Sequence, residues 1–229
     1  LQTFRKETGC WHVYKEGERK FPAFLDDYAF FIRALLQLQE ITSNQDYLFV
    51  AKELCEYVLA QFGEDETGYF FFTGEGQTDI VVRKKEVYDG AVPSGNAVMA
   101  DNLTQLGILF DLPEWRERSA KMVLGLQDTI VRYPGSFGVW ASLQLKLSKG
   151  FAELAVVGPD YETKRDEILP LFRPHVILQS SAGNNRTFPL LSDRETPQGN
   201  TLFYLCREYT CLRPTAETQE IQALLSSVS

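Results

Sequence analysis

PAFLDDYAFFIRALLQLQE, residues 22–40, is the stretch on which the fold turns. Leu25, Tyr28, Ala29, Ile32, Leu35 and Leu36 recur at helical spacing behind Pro22, a residue suited to a first helical turn. Phe24, Phe30, Phe31 and Leu38 make the other faces apolar too, which predicts a helix enclosed by others. Asp26, Asp27 and Arg33 interrupt the apolar run, so it is a core helix and not a membrane span. Thr42, Ser43 and Asn44 follow as a cap. Beyond them Tyr47, Leu48, Ala51, Leu54, Cys55, Val58 and Phe62 form one stripe, with Lys52, Glu53 and Glu56 off it. The pair is a helical hairpin with one inner and one half-exposed helix.

The pattern then repeats. After a loop rich in Gly and aromatics, GYFFFTGEG at residues 68–76, residues 80–82 are expected as a short strand. Pro93, Ser94, Gly95 and Asn96 start a second inner helix, whose Ala97, Ala100, Leu103, Gly107 and Phe110 form a small-residue face. Pro113 opens an outer helix carrying Trp115, Arg118, Met122 and Leu126, and a further helix runs from Ser136 to about Leu147. Two hairpins in succession predict an α/α array. From Phe151 the texture changes. Residues 154–158 read as a buried strand, 161–169 as a short helix, 175–178 and 201–206 as further strands, and 217–225 as a terminal helix covering the sheet. Residues 180–200 read as an irregular surface loop. The expected organisation is mainly α: helical hairpins over 1–150, then a small α/β appendage over 151–229.

Composition excludes several classes. A formal net charge of -8 leaves no broad cationic face, so nucleic acid is not an expected partner, and neither is a membrane. Cys10, Cys55, Cys206 and Cys211 are too few and too uneven for a secreted disulfide framework, which points to a reducing, cytoplasmic setting. The chain opens at Leu1 with neither an initiator Met nor a signal sequence, and is expected to be the C-terminal part of a larger protein.

Two segments carry chemistry. Asp26, Asp27 and Tyr28 put two carboxylates and a phenol on an otherwise apolar helix, a placement that demands partners. Either one Asp is a general acid or base or a sugar-hydroxyl ligand, or the carboxylates cap a helix or pair with Arg33 or Arg83. Residues 83–96, RKKEVYDGAVPSGN, end where a helix N-terminus points N–H groups outward. They suit a hydroxyl-rich or anionic ligand, or else form a capped helix whose entry loop is pinned by Arg83 and Asp89. A glycosidase needs two carboxylates about 5 Å or about 6.5–9.5 Å apart, which Asp26 or Asp27 with Asp89 meets only if both segments face one cavity. His12 and His175 are expected to be structural. Cys206 and Cys211 do not match C-x-x-C spacing, and no Cys/His set completes a metal site. They are expected as buried thiols of a strand, a disulfide or sulfenate chemistry remaining open if they face each other.

FLDDYAF at 24–30, VYDGAVPSGN at 87–96 and YLCREYTCLRP at 204–214, in this order, resemble the YyaL-like family, related to the spermatogenesis-associated thioredoxin-like proteins. The resemblance runs from about Trp11 to the final helix. It implies the last portion of an α/α toroid similar to N-acylglucosamine 2-epimerases and six-hairpin glycosidases, with an N-terminal thioredoxin-like domain elsewhere in the full protein. Asp26, Asp27, Tyr28, Arg83, Lys85, Tyr88, Asp89, Ser94 and Asn96 fall on the family motifs. The resulting expectation is a sugar-binding or sugar-processing domain without a cofactor, of the epimerase, isomerase or glycosidase type. Asp26, Asp27 and Asp89 are its catalytic candidates; Tyr28, Arg83, Lys85, Tyr88, Ser94, Asn96 and Trp140 are its substrate-binding candidates. The alternative is a noncatalytic or redox-linked module serving the thioredoxin-like domain, with Cys206 and Cys211 as its redox pair.

Overall fold

Glu16 and Gly17 interrupt an extended run with two consecutive residues at positive φ, 53° and 81°. That geometry matches the twist of a two-residue hairpin. A computed structural model of the chain, which describes residues 9–77, 81–207 and 210–228, accordingly opens on β1 (Trp11–Lys15) paired antiparallel with β2 (Glu18–Pro22), Lys15 facing Glu18. Six helices follow: α1 (Leu25–Thr42), α2 (Asp46–Phe62), α3 (Gly95–Leu109), α4 (Pro113–Leu124), α5 (Gln127–Arg132) and α6 (Gly138–Lys149). The rest is β3 (Ala152–Val157), α7 (Tyr161–Ile168), β4 (Val176–Ser181), β5 (Leu202–Arg207), β6 (Thr210–Cys211) and α8 (Thr218–Val228). The chain is thus mainly α with a C-terminal sheet unit. Among the described residues no helix is long and apolar enough to cross a membrane.

The described residues form two compact units, the first within Leu1–Leu36, Asp46–Ile108 and Leu112–Gln144, the second within Gln37–Gln45, Leu109–Asp111 and Leu145–Ser229. In the first, α2 buries Leu48, Ala51, Leu54, Cys55, Val58 and Phe62, the stripe its spacing predicts. The enclosed helix is α3. Every residue from Ser94 to Thr104 is buried, because small residues let neighbouring backbones approach on all sides. At Gly107 a Cβ would lie 2.6 Å from Arg116 Cγ and 3.0 Å from the Leu112 carbonyl oxygen. Asp101, Asn102 and Thr104 of α3 each make a side-chain hydrogen bond, although among the described residues Asn102 Oδ1 stays buried without one. Asp101 accepts from Arg33 at 2.5 Å, Asn102 Nδ2 donates to the Ala29 carbonyl at 2.8 Å, and Thr104 and Ser119 share a hydrogen bond of 2.8 Å.

Three expectations are corrected here. α1 buries its Leu25, Tyr28, Ala29, Ile32, Leu35 and Leu36 stripe together with Gln39, and Phe30 and Leu38 lie exposed, so it is not enclosed as its all-round apolarity predicts. Val81 and Val82 are irregular and exposed, with no neighbouring strand to satisfy a β ladder; Ile80 lies outside the described residues. The outer helix stops at Leu124, and Leu126 precedes the separate α5.

The second unit holds a sheet of order β4-β3-β5-β6. β3 and β4 run parallel, from Ala152↔Val176 to Val157↔Ser181, and α7 makes the crossover; β5 is antiparallel to β3 and turns into β6. Leu154, Val156, Leu178, Phe203 and Leu205 pack with Ile168, Ile221 and Leu225 in one core cluster, each buried side chain contributing roughly 1.5–3 kcal/mol. Residues 182–200 are irregular and largely exposed, as expected, but not wholly a surface loop. α7 and α8 both pack into the cluster of Leu154, Val156, Leu178 and Phe203, and Phe188, Leu190 and Leu191 turn inward around the short 3-10 turn Pro189–Leu191.

Candidate functional site

The starts of α1, α3 and α6 meet in the first unit. A Cβ at Gly95 would sit 2.1 Å from Asp26 Oδ1 and 3.3 Å from Leu25 Cγ, so only glycine lets α3 begin against α1. The Gly95 N–H donates to the Asp26 carboxylate. Asp89 draws in α6: Oδ1 accepts the Ser94 N–H at 3.0 Å, Oδ2 accepts the Val139 N–H at 2.9 Å, and its own N–H donates to the Ser136 carbonyl at 2.7 Å. Acidic side chains therefore occupy the positive ends of α1, α3 and α6, where orphan N–H groups need acceptors.

Most of the expected ligand-binding side chains hold the loop that leads into α3. Asn96, 0% exposed, pairs with the Phe70 backbone like a strand neighbour: Oδ1 accepts the Phe70 N–H at 2.8 Å and Nδ2 donates to the Phe70 carbonyl at 3.0 Å. Nδ2 and the Ser94 hydroxyl both donate to the Glu86 carbonyl, at 2.9 and 3.0 Å. Trp140, also 0% exposed, donates from Nε1 to the Val87 carbonyl at 2.6 Å and meets the Tyr69 ring edge-on. Arg83 donates to the Thr73 and Gln61 carbonyls and lies 4.2 Å over the Phe71 ring, while Lys85 Nζ reaches Glu64 at 3.0 Å. Glu64, bound also by Thr67, is held down to about 2. Tyr28 is 2% exposed; its hydroxyl accepts the Cys10 N–H at 2.7 Å, its ring packs on Tyr57 and Phe62, and burial pushes its hydroxyl well above the usual tyrosine range.

The ion pairs weighed for these acids do not form. Arg33 goes to Asp101, Arg83 goes to carbonyls with Glu75 at 3.9 Å, and Asp89 takes two backbone N–H groups in place of Arg83. Asp27 caps its own helix, Oδ2 accepting the Phe24 N–H at 2.8 Å, and lies 2.7 Å from His12 Nδ1. His12 rests edge-on against Phe24, which stacks on Phe72.

Asp26 stands apart. Burial pushes its carboxyl above the ordinary value, the charges of Glu86 and Asp27 push the same way, and the Gly95 N–H opposes them. Glu86 is exposed, as is Tyr88 at 62%. Asp26, Asp27, His12, Glu86, Tyr88 and Asp89, all at this end, are not buried. Glu86 and His12 were not among the expected site residues; the N-cap position of Phe24, with an acid three residues on, is the signal that ties His12 to the site through Asp27. Two overlapping grooves, of about 480 and about 430 Å³, lie elsewhere in this unit, between α2 and α4, lined by Glu114, Trp115 and Arg118.

Cys206 and Cys211 are not separate thiols. They face each other across β5 and β6 and form a disulfide, because the hairpin sets them in register. Cys10 and Cys55 are buried and take part in no disulfide.

Fold and site together define a protein with a helical-hairpin unit, whose acids gather at three helix starts, and a small mixed-sheet unit. No family model matches the chain. It is 26% identical over 213 residues to spermatogenesis-associated protein 20 of Rattus norvegicus, covering 88% of this chain and 27% of that protein. The human protein of that name is 25% identical over the same length and shares. An uncharacterized protein of Caenorhabditis elegans is 26% identical over 224 residues, 93% of this chain and 30% of that protein. The likeness supports the family of spermatogenesis-associated protein 20, and the chain spans less than a third of the length of these curated relatives, at 27–30%.

Proposed function

We propose that the helical unit is part of an α/α toroid that binds a sugar or related polyol at the end where α1, α3 and α6 begin, with Asp26 as its acid–base group. The observation that carries this is the Asp26 carboxyl, pushed up by burial and by the neighbouring charge of exposed Glu86. A carboxyl held above its ordinary value beside a second acid is the arrangement that glycoside and sugar-isomerising chemistry uses. The succession of the α1–α2 and α3–α4 helix pairs supports the toroid, and the greater length of the relatives leaves room for the hairpins that would close it. Tyr88, exposed on the same loop, supplies a ring on which a sugar can stack.

Binding is tested by thermal shift against monosaccharides, amino sugars and sugar phosphates, using the chain and its Asp26→Asn and Tyr88→Ala forms, since a ligand of the folded state raises its melting temperature. The expected result is a shift with one sugar class that both substitutions diminish. A shift untouched by either substitution, or no shift with any sugar, overturns the proposal.

A further inference from the structure

We propose that the Cys206–Cys211 disulfide is a thiol–disulfide exchange site, at which an external dithiol attacks Cys211 and Cys206 leaves as a thiolate against Arg194. The two cysteines differ in access. Cys206 is buried on β5, while Cys211 is exposed on the two-residue strand β6 at the edge of the sheet. Arg194 spans both sulfurs: one terminal nitrogen is 3.5 Å from Cys211 Sγ and the other 3.5 Å from Cys206 Sγ.

The guanidinium is fixed there. Its Nε donates to the Leu190 carbonyl at 2.9 Å, its plane lies 5.0 Å from the Tyr204 ring centre, and the Tyr204 hydroxyl donates in turn to the Glu195 carbonyl. Among the described residues its recorded partners are that carbonyl, that ring and the two sulfurs, with no carboxylate among them. A disulfide sulfur is a weak acceptor, whereas a thiolate is a full negative charge. Arg194 therefore favours the reduced state over the oxidised one, and the exposure of Cys211, the sulfur open to attack, makes Cys206 the leaving sulfur.

The exchange balances. One thiolate of the dithiol bonds to Cys211 Sγ, and the S–S electron pair leaves on Cys206 Sγ. The second thiolate of the dithiol attacks its own sulfur in that mixed disulfide, so the electron pair leaves on Cys211 Sγ and the dithiol becomes a disulfide. The chain gains two electrons and two protons, which the dithiol loses. The bond is thus a switch on the β5–β6 hairpin, independent of any sugar site on the helical unit.

The test equilibrates folded protein with mixtures of reduced and oxidised dithiothreitol, then counts maleimide-labelled thiols by intact mass. Labelling follows acid quenching and unfolding, so Cys10 and Cys55, which take part in no disulfide, label in every sample and set a constant baseline of two. Two thiols are expected to open while the fold persists by circular dichroism. Arg194→Gln should require an about tenfold higher ratio of reduced to oxidised dithiol for half-reduction, and Arg194→Lys should recover part of the loss, since hydrogen bonds to charged groups exceed neutral ones. A bond that opens only on unfolding, or a folded Arg194→Gln midpoint within about twofold of the parent, overturns the proposal. A second measurement needs no variant: brief exposure to glutathione, acid quenching and peptide mass should find the adduct on Cys211. An adduct on Cys206 instead overturns it.

Discussion

Replacing Asn96 by Ala removes an amide that is 0% exposed and bonded to the Phe70 N–H at 2.8 Å, the Phe70 carbonyl at 3.0 Å and the Glu86 carbonyl at 2.9 Å. The Glu86 carbonyl keeps the Ser94 hydroxyl at 3.0 Å, so its loss is partly covered. Phe70 is fully buried, and an orphaned N–H or carbonyl there costs about 1–3 kcal/mol each. The expected destabilisation is therefore about 2–5 kcal/mol, in the range reserved for a broken buried network. Urea unfolding followed by tryptophan fluorescence measures it, because Trp11, Trp115 and Trp140 all belong to the first unit. With a slope of about 1–3 kcal/mol/M the midpoint should fall by about 1 M or more. Asn96→Asp is the control. It keeps an acceptor for the Phe70 N–H but turns a carboxylate toward two carbonyls, so it should do no better than Ala at neutral pH and should recover as acid protonates it. A loss below about 1 kcal/mol for the Ala form would refute the structural role and return Asn96 to the ligand-binding residues.

Asp89→Ala uncaps α3 and α6 together and should destabilise the first unit by about 2 kcal/mol in the same assay, two caps of about 1 kcal/mol each; an unchanged midpoint would sink the capping assignment. Asp26→Asn should act in the opposite direction. The folded-state carboxyl is raised above its ordinary value, so the native state binds more protons, and stability falls as pH rises from about 3.9, the unfolded value, through the folded one. The Asn form should therefore melt higher than the parent at pH 7 and equally below about pH 3.9, and a constant difference across that range would refute the raised carboxyl.

How much was legible differs by element. The α2 stripe and the crossover helix α7 were readable because each has one periodicity and one buried face, and the β3 run because a strand buried on both faces is apolar nearly throughout. α1 and α3 were harder. Both are apolar on several faces, and which is enclosed depends on how closely neighbours approach; that is decided at Gly95 and Gly107, not by hydrophobicity. The β1–β2 hairpin was missed because its strands are short, charged and largely exposed, and only Glu16 and Gly17 mark it. Phe188, Leu190 and Leu191 belong to no periodic run, so their burial follows from the uncovered sheet face alone.

The site was legible as a location and not as a set of roles, for a physical reason. Residues 63–94 join two helices with little regular structure, so the backbone N–H and carbonyl groups there need acceptors and donors from side chains. Asn96, Ser94, Trp140 and Arg83 supply them, and a residue type that suits a ligand carbonyl or hydroxyl suits the loop's own backbone equally well. Sequence shows the donor and not its partner. A residue recruited to a ligand should therefore be one whose environment is left unfavourable without it. Asp89 fails that criterion, since both its oxygens accept helix N–H groups, and so does Asp27, which caps α1. Asp26 meets it: one N–H from Gly95 sets its position, while burial and the charge of Glu86 still oppose ionisation. A partner that donates to that carboxylate or accepts its proton would relieve this opposition, and for this reason the search for a ligand begins at Asp26.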